Sequence, residues 1–196
     1  MLTHQGTKTL RTNRLTLRRF TVEDANLMFE NWANDTRVTR YLTWPAHTSP
    51  VFTKQLLESW CAEYEKPDFY NWAICLDNQP IGNISAVEIS ERDESAALGY
   101  CIGTAYWRKG IMPEAVRAVC AYLFEEIGMN RIEISHAVKN PASGRVAQKC
   151  GFTYEGTKRE FFKTANGEFL DISFHSLLKS EWFATEKEKA EQIVLR

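Results

Sequence analysis

The residues with the strongest claim to chemistry lie between Leu98 and Ala115, in the run L-G-Y-C-I-G-T-A-Y-W-R-K-G-I-M-P-E-A. An apolar strand there leads into a loop holding Arg108, Lys109 and Gly110, and Pro113 with Glu114 then marks the start of a helix. A helix N-terminus carries unpaired N–H groups and roughly half a positive charge, which is what a phosphate requires. Gly110 has no side chain to hold the backbone away from such a ligand. The spacing by itself favours a solvated strand-to-helix turn over a phosphate site. Neither the nucleotide motif G-x-x-x-x-G-K-[ST] nor the dinucleotide motif G-x-G-x-x-G occurs in the chain.

Other reactive residue types are scattered. His136 shares its strand phase with Ile132, Ile134 and Val138, the pattern of a core histidine rather than a base. Glu88 and Glu160 sit at strand positions that could face an acceptor, and read as solvated carboxylates. Cys61, Cys75, Cys101, Cys120 and Cys150 are far apart, odd in number and without a C-x-x-C pair. That argues against a disulfide framework and a thiolate metal site, and fits a reducing compartment with no metal cofactor.

The elements that position these residues follow from periodicity. Residues 14–20 alternate apolar and polar as a half-buried strand does, and Thr21 with Asp24 makes a capping-box-like start for a helix carrying Leu27, Met28, Phe29 and Trp32. Residues 40–50 contain two prolines and read as a loop. Ser49 then caps a second helix with Phe52, Leu56, Trp60 and Tyr64 along one side. Strands are expected over 70–77, 80–89, 96–103, 131–138, 152–163 and 169–178, the last two forming a hairpin about the turn A-N-G. An apolar helix over 113–127 closes at Gly128, and a short one over 141–149 ends at Gly151. Seven strands mixed with helices point to an α/β or α+β layer fold, a single domain over 1–183. The tail, 184–196, is polar and reads as a solvated helix or disordered.

Composition excludes several classes. The 196 residues are 44% hydrophobic and 25% charged, as in ordinary globular proteins, and suit one domain. Twenty-four basic against twenty-five acidic residues leave a formal charge of −1, so no global field draws the chain to nucleic acid or an anionic membrane. No apolar stretch of signal-peptide length opens the sequence and none of about 18 residues follows. The expected location is the cytoplasm.

Three ordered runs sharpen this picture: G-Y-C-I-G-T-A-Y-W-R-K-G-I-M-P-E-A-V, then R-I-E-I-S-H-A-V-K-N-P-A-S-G-R-V-A-Q-K-C-G-F, then Y-E-G-T-K-R-E. Together with N-R-L-T-L-R-R-F from Asn13 and D-I-S-F-H-S-L-L-K-S-E-W up to Trp182, the chain resembles the GNAT superfamily of N-acetyltransferases, specifically its RimJ/RimL-type branch. Named members of that branch acetylate the N-termini of ribosomal proteins, and homodimers are common in it.

The resemblance implies a mostly antiparallel sheet splayed between its fourth and fifth strands, and transfer of the acetyl group of acetyl-coenzyme A directly to a primary amine, in a ternary complex. The amine would be a protein N-terminus or a small molecule. Backbone amides of Arg108, Lys109, Gly110, Ile111 and Met112 would hold the cofactor's pyrophosphate. The strand through Tyr100, Cys101 and Ile102 would pair with the pantetheine arm, and an N–H of Cys101 or Ile102 would polarise the thioester carbonyl. Losing such a donor typically costs on the order of 100- to 1000-fold in rate. Asn140 and Ser143 match the family's N-x-x-S, the asparagine contacting the pantetheine arm and the serine a candidate proton donor to the leaving thiolate. Cys101 is read as a small apolar side chain, not a nucleophile. Two positions depart from the pattern: Ala147 stands where many members carry a tyrosine acid, and Ala97 where the branch often has glutamate. They leave open a non-catalytic acyl-coenzyme A binding module, and an inert R-K-G loop would make the chain a plain scaffold. The acceptor cleft is expected beside the first two helices and the loop 41–48, with Trp44 and His47 lining it and Trp72 as a wall.

Overall fold

The computed structural model describes residues 1–164 and 167–194, with side chains through Lys187. The chain opens on β1 (Leu10–Arg11), too short to leave a periodic signal, paired with β2 (Leu15–Arg18), whose Leu15 and Leu17 are buried as their alternation requires. Thr21 and Asp24 complete a reciprocal capping box over a single 3-10 turn. From there α1 (Ala25–Met28) continues into a π turn over Phe29–Ala33 that ends where the sequence expects. A one-turn α2 (Thr36–Thr39), capped by Asp35, was not legible in the pattern.

Ser49 caps α3 (Pro50–Glu63) by accepting from the Val51 amide at 3.1 Å. The buried side of this helix is rotated from the one expected. Thr53 and Leu57 are fully buried, while Phe52 is 53% exposed. The threonine is inward because its hydroxyl meets His47, a partner that hydrophobic periodicity does not register.

β3 (Tyr70–Leu76) and β4 (Gln79–Ser90) are joined through Asp77 and Asn78, both at positive φ, as a tight hairpin turn requires. After β5 (Ser95–Ile102) comes α4 (Ile111–Ala121), whose last turns widen into a π segment over Tyr122–Ile127 before Gly128 stops it in the left-handed conformation. The helix begins two residues earlier than its proline suggests. β6 (Arg131–Ala137), α5 (Pro141–Lys149), β7 (Thr153–Lys163), β8 (Phe169–Leu178) and α6 (Lys179–Val194) complete the chain. Two residues of the expected A-N-G turn, Ala165 and Asn166, lie outside the described residues.

The sheet has eight strands in the order β1-β2-β3-β4-β5-β6-β8-β7, one more than expected because of β1. Every neighbouring pair is antiparallel except β5 with β6. That parallel pair is joined only at residues 95–97 opposite 131–133, after which the strands part. This is the expected splay, between the fifth and sixth strands once β1 is counted. Strand parity divides the core. Trp72 and Ile74 face α4, where Ala115, Val116 and Val119 are fully buried, whereas Ala73 and Cys75 face α1 and α3.

Candidate active site

Splaying leaves one side of β5 without a partner strand, and strand geometry decides which amides are free there. Gly103 donates to Ile81 O at 2.9 Å, and Asn83 lies opposite Cys101. Successive amides of a strand point to opposite sides, so the N–H of Cys101 faces β4 with that of Gly103. The N–H groups of Tyr100 and Ile102 face the opening. Of the two amides expected to polarise a thioester carbonyl, Ile102 is the free one, and Cys101 is corrected: the ladder to β4 takes its donor. The Cys101 thiol packs against the core on the α1 and α3 side, and burial pushes it up to about 12, so it is no nucleophile at neutral pH.

Beyond Ile102 the chain turns through Gly103 into the loop that precedes α4. Trp107 folds back and donates its indole N–H to Ile102 O at 2.9 Å. Arg108 and Gly110 both adopt the left-handed conformation, φ 62° and 72°, and Gly110 is the N-cap of α4. Such alternating backbone forms a concavity of N–H groups suited to an anion. Among the described residues, the amides of Arg108, Lys109, Gly110, Ile111 and Met112 donate to no protein group. A row of unpaired donors on an exposed loop at a helix N-terminus fits a diphosphate.

The loop is anchored from outside by a pair that the sequence reading did not single out. Arg14 donates through Nε to Glu114 Oε2 at 2.7 Å and through Nη1 to Lys109 O at 3.1 Å, while Thr12 Oγ1 donates to Glu114 Oε1 at 2.6 Å. Partial burial pushes the Glu114 carboxyl up, but the hydrogen bonds from Thr12 and Arg14 outweigh it and hold the group below its ordinary value.

Across the opening lies α5. Ser143 Oγ is 2.8 Å from the Tyr100 hydroxyl, a contact between strand and helix that gives the serine a defined partner. Burial pushes the Tyr100 phenol well above its ordinary range, so it stays protonated. Asn140 is the N-cap of α5; its backbone N–H donates to Ala137 O and its carbonyl accepts from the Ser143 amide, yet its side chain makes no capping bond. Ala147 is fully buried against the core, leaving no acid at the position where many family members carry tyrosine.

The expected acceptor residues fare differently. Trp72 is fully buried, stacked on Tyr70 and edge-on to Tyr122, and donates to Lys8 O at 2.7 Å. It is a core residue, not a cleft wall, because its strand parity turns it toward α4. His47 is also corrected: its ring is buried between Trp44 and Phe52, Nδ1 lies 2.7 Å from Thr53 Oγ1, and burial lowers its pKa. Trp44 is half-buried and packs on the core beneath α1 and α3. From the same stretch it is Tyr41 that reaches the splay, packing with Phe174 against Ala137, Leu170 and Ile172. Glu88 and Glu160 are exposed at positive φ where the ladder is irregular, as the solvated reading holds. His136 is half-buried, its ring stacked on that of His175 with the two Nε2 atoms 3.2 Å apart, and its Nε2 lies against Gly144 of α5.

Eight strands with one parallel pair that opens beside a row of unpaired amides define the architecture of an acyl-coenzyme A N-acyltransferase. A family model described as "Acetyltransferase (GNAT) domain" matches residues 14–153, and the chain belongs to that family. It is 30% identical over 178 residues to the protein called uncharacterized N-acetyltransferase p20 of Bacillus licheniformis, covering 89% of this chain and 98% of that one. It is 25% identical over 142 residues to the ribosomal-protein-serine acetyltransferase of Escherichia coli, covering 72% of this chain and 76% of that one. Among solved structures, a GCN5-related N-acetyltransferase from Brucella melitensis superposes with a TM-score of 0.82 at 19% identity, covering 95% of this chain and 85% of that one. RimL, a ribosomal L7/L12 α-N-protein acetyltransferase solved with coenzyme A, superposes with a TM-score of 0.79 at 21% identity, covering 87% and 98%. The protein is an acetyl-coenzyme A-dependent N-acetyltransferase that acts on an amine, and the comparisons lend nothing to a non-catalytic module. Among the described residues no helix is long and apolar enough to cross a membrane, and no cluster of three or more His, Cys, Asp or Glu could hold a metal.

Proposed function

We propose that the diphosphate of acetyl-coenzyme A is held by the amides of Arg108 to Met112 and that its pantetheine arm lies along Tyr100, Cys101 and Ile102 in the splay, with Asn140 contacting it from α5. The observation that carries this reading is the set of five neighbouring amides without a protein acceptor. The cofactor supplies an activated acyl group as its thioester. The neutral amine forms a C–N bond to the acyl carbon, whose carbonyl Ile102 N–H polarises, and the C–S bond breaks. Ser143 passes a proton to the departing sulfur, and the proton shed by the amine nitrogen, carried by water, restores the serine. Tyr100, protonated because it is buried, lies 2.8 Å from Ser143 Oγ, and when its hydroxyl donates to that oxygen the serine's own hydrogen is free to turn toward the cleft. A thiolate whose parent thiol titrates near about 8.5 leaves readily, so this donor supplies only part of the acceleration.

The acceptor enters from the side of Tyr41 and Phe174, opposite the α5 side of the splay. A protein N-terminus is the acceptor class favoured by the names of relatives such as the ribosomal-protein-serine acetyltransferase. A small amine is the second, favoured by a spermidine N(1)-acetyltransferase of Vibrio cholerae, 28% identical over 103 residues. Five free thiols support a reducing, cytoplasmic setting. The test is release of free thiol from acetyl-coenzyme A in the presence of peptides with different N-termini, spermidine and amino acids. Turnover with N-terminal peptides is expected, and no turnover with any of the amines would refute the acceptor reading.

A further inference from the structure

We infer that Arg14, from the turn between β1 and β2, is a positioning residue of the cofactor site: it aims the Gly110 amide into the anion cradle and cancels the charge of Glu114 beside it. This rests on the reading that the loop of residues 108–112 holds the diphosphate.

The first part of the argument is geometric. Lys109 C=O and Gly110 N–H belong to one planar trans peptide and point in opposite directions. Arg14 Nη1 holds the Lys109 oxygen at 3.1 Å, so the Gly110 N–H must point away from Arg14. Gly110 is exposed and in the left-handed conformation, and no other hydrogen bond to protein restrains that peptide among the described residues. Without the guanidinium the peptide plane can turn, and a carbonyl can replace the N–H at the anion.

The second part is electrostatic. Glu114 lies in the first turn of α4, where a carboxylate favours the helix dipole but repels a diphosphate at the same end. Its side chain is 19% exposed, so water screens it little, and Arg14 meets it with an ion pair of 2.6 Å. Thr12 O–H and the Arg14 amide occupy the other carboxylate oxygen. The pair thus holds the two ends of the cradle together, joining the β1–β2 turn to α4, while leaving no net negative charge near the ligand. Arginine suits this because its rigid planar fork presents Nε and Nη2 to the carboxylate and Nη1 to the carbonyl in one fixed geometry, where a lysine offers a single nitrogen on a flexible stem.

The experiment compares coenzyme A binding by calorimetry in the wild type, Arg14→Gln, Arg14→Lys and Arg14→Gln/Glu114→Gln, with the melting temperature and the KM for the amine recorded for each. Arg14→Gln should weaken coenzyme A binding by about 10- to 100-fold, the scale of leaving a partly buried charge without its partner. The amine KM should stay near the wild-type value. Arg14→Lys should fall between, and the double variant should recover part of the loss because the stranded carboxylate is gone. A merely structural role would lower the melting temperature and both substrate affinities together. Coenzyme A binding by Arg14→Gln within twofold of wild type would overturn the inference, as would a double variant no better than the single one. Failure of the wild type itself to bind coenzyme A would instead bring down the cofactor-site reading.

Discussion

Replacing Gly110 separates a site held by backbone from one held by side chains. Gly110 sits at φ 72°, ψ 8°, and a Cβ there would meet only Arg14 Nη2, at 3.7 Å, an ordinary contact. Alanine at this position therefore creates no collision, and its whole effect is conformational, about 1–2 kcal/mol for an L-residue in the left-handed region. In the free protein the exposed loop can escape that strain by relaxing, but ligand binding must restore the cradle. The penalty then appears in the dissociation constant of coenzyme A, roughly 5- to 30-fold for Gly110→Ala, with Gly110→Val worse because branching at Cβ tightens the restriction. Lys109→Ala is the contrasting arm. Its ammonium is exposed and rests 5.6 Å above the Tyr106 ring, so its loss removes about 0.5–1 kcal/mol at most and no backbone donor. Isothermal calorimetry with coenzyme A at fixed ionic strength measures both. A Lys109→Ala loss as large as that of Gly110→Ala would refute the backbone cradle.

Three further outcomes follow from the geometry. Ser143→Ala should lower kcat by roughly 100-fold with little change in coenzyme A binding, and Tyr100→Phe should lower it less; full kcat in both variants would remove the proposed proton path. Gly82→Ala places a Cβ 2.5 Å from the carbonyl oxygen of Cys101, a backbone atom that cannot rotate away, so the urea midpoint should drop by the equivalent of about 1–3 kcal/mol, and an unchanged midpoint would contradict the register of β4 and β5. Burial, with His136 nearby adding to it, pushes the His175 imidazole below its ordinary pKa, and burial does the same to His47. The unfolded chain then binds more protons than the folded one, so stability is full above about pH 6.5 and declines as pH falls below it. Melting temperatures between pH 7.5 and 5.5 should show that decline, shallower in His175→Gln, and an unaltered slope in the variant would count against this origin.

Local order was legible because its causes are local. The capping box of Thr21 and Asp24, the Ser49 cap, the Gly128 stop and the Asp77–Asn78 turn each arise within four residues, and the strand alternation at Leu15 and Leu17 needs only period two. The glycine loop ahead of a helix start at Pro113 also stands in one stretch, but its spacing alone reads as a solvated turn, and only the resemblance of the surrounding runs to a known family made a cofactor cradle the expectation. What the amino-acid order could not convey is which residues meet across the fold. Tyr100 reaches Ser143 over 43 positions and Arg14 reaches Glu114 over 100, and no periodic pattern records such distances. Nor does a residue type say which way its strand turns it: Trp72 and His47 look like cleft aromatics in a sequence and are buried in the fold, because parity and a threonine hydroxyl point them inward. The same parity, read from the register of β5 against β4, frees the amide of Ile102 and engages that of Cys101. Composition and spacing thus determined the elements and their chemistry, while packing and strand pairing decided which groups face the ligand, since facing is a relation between distant segments.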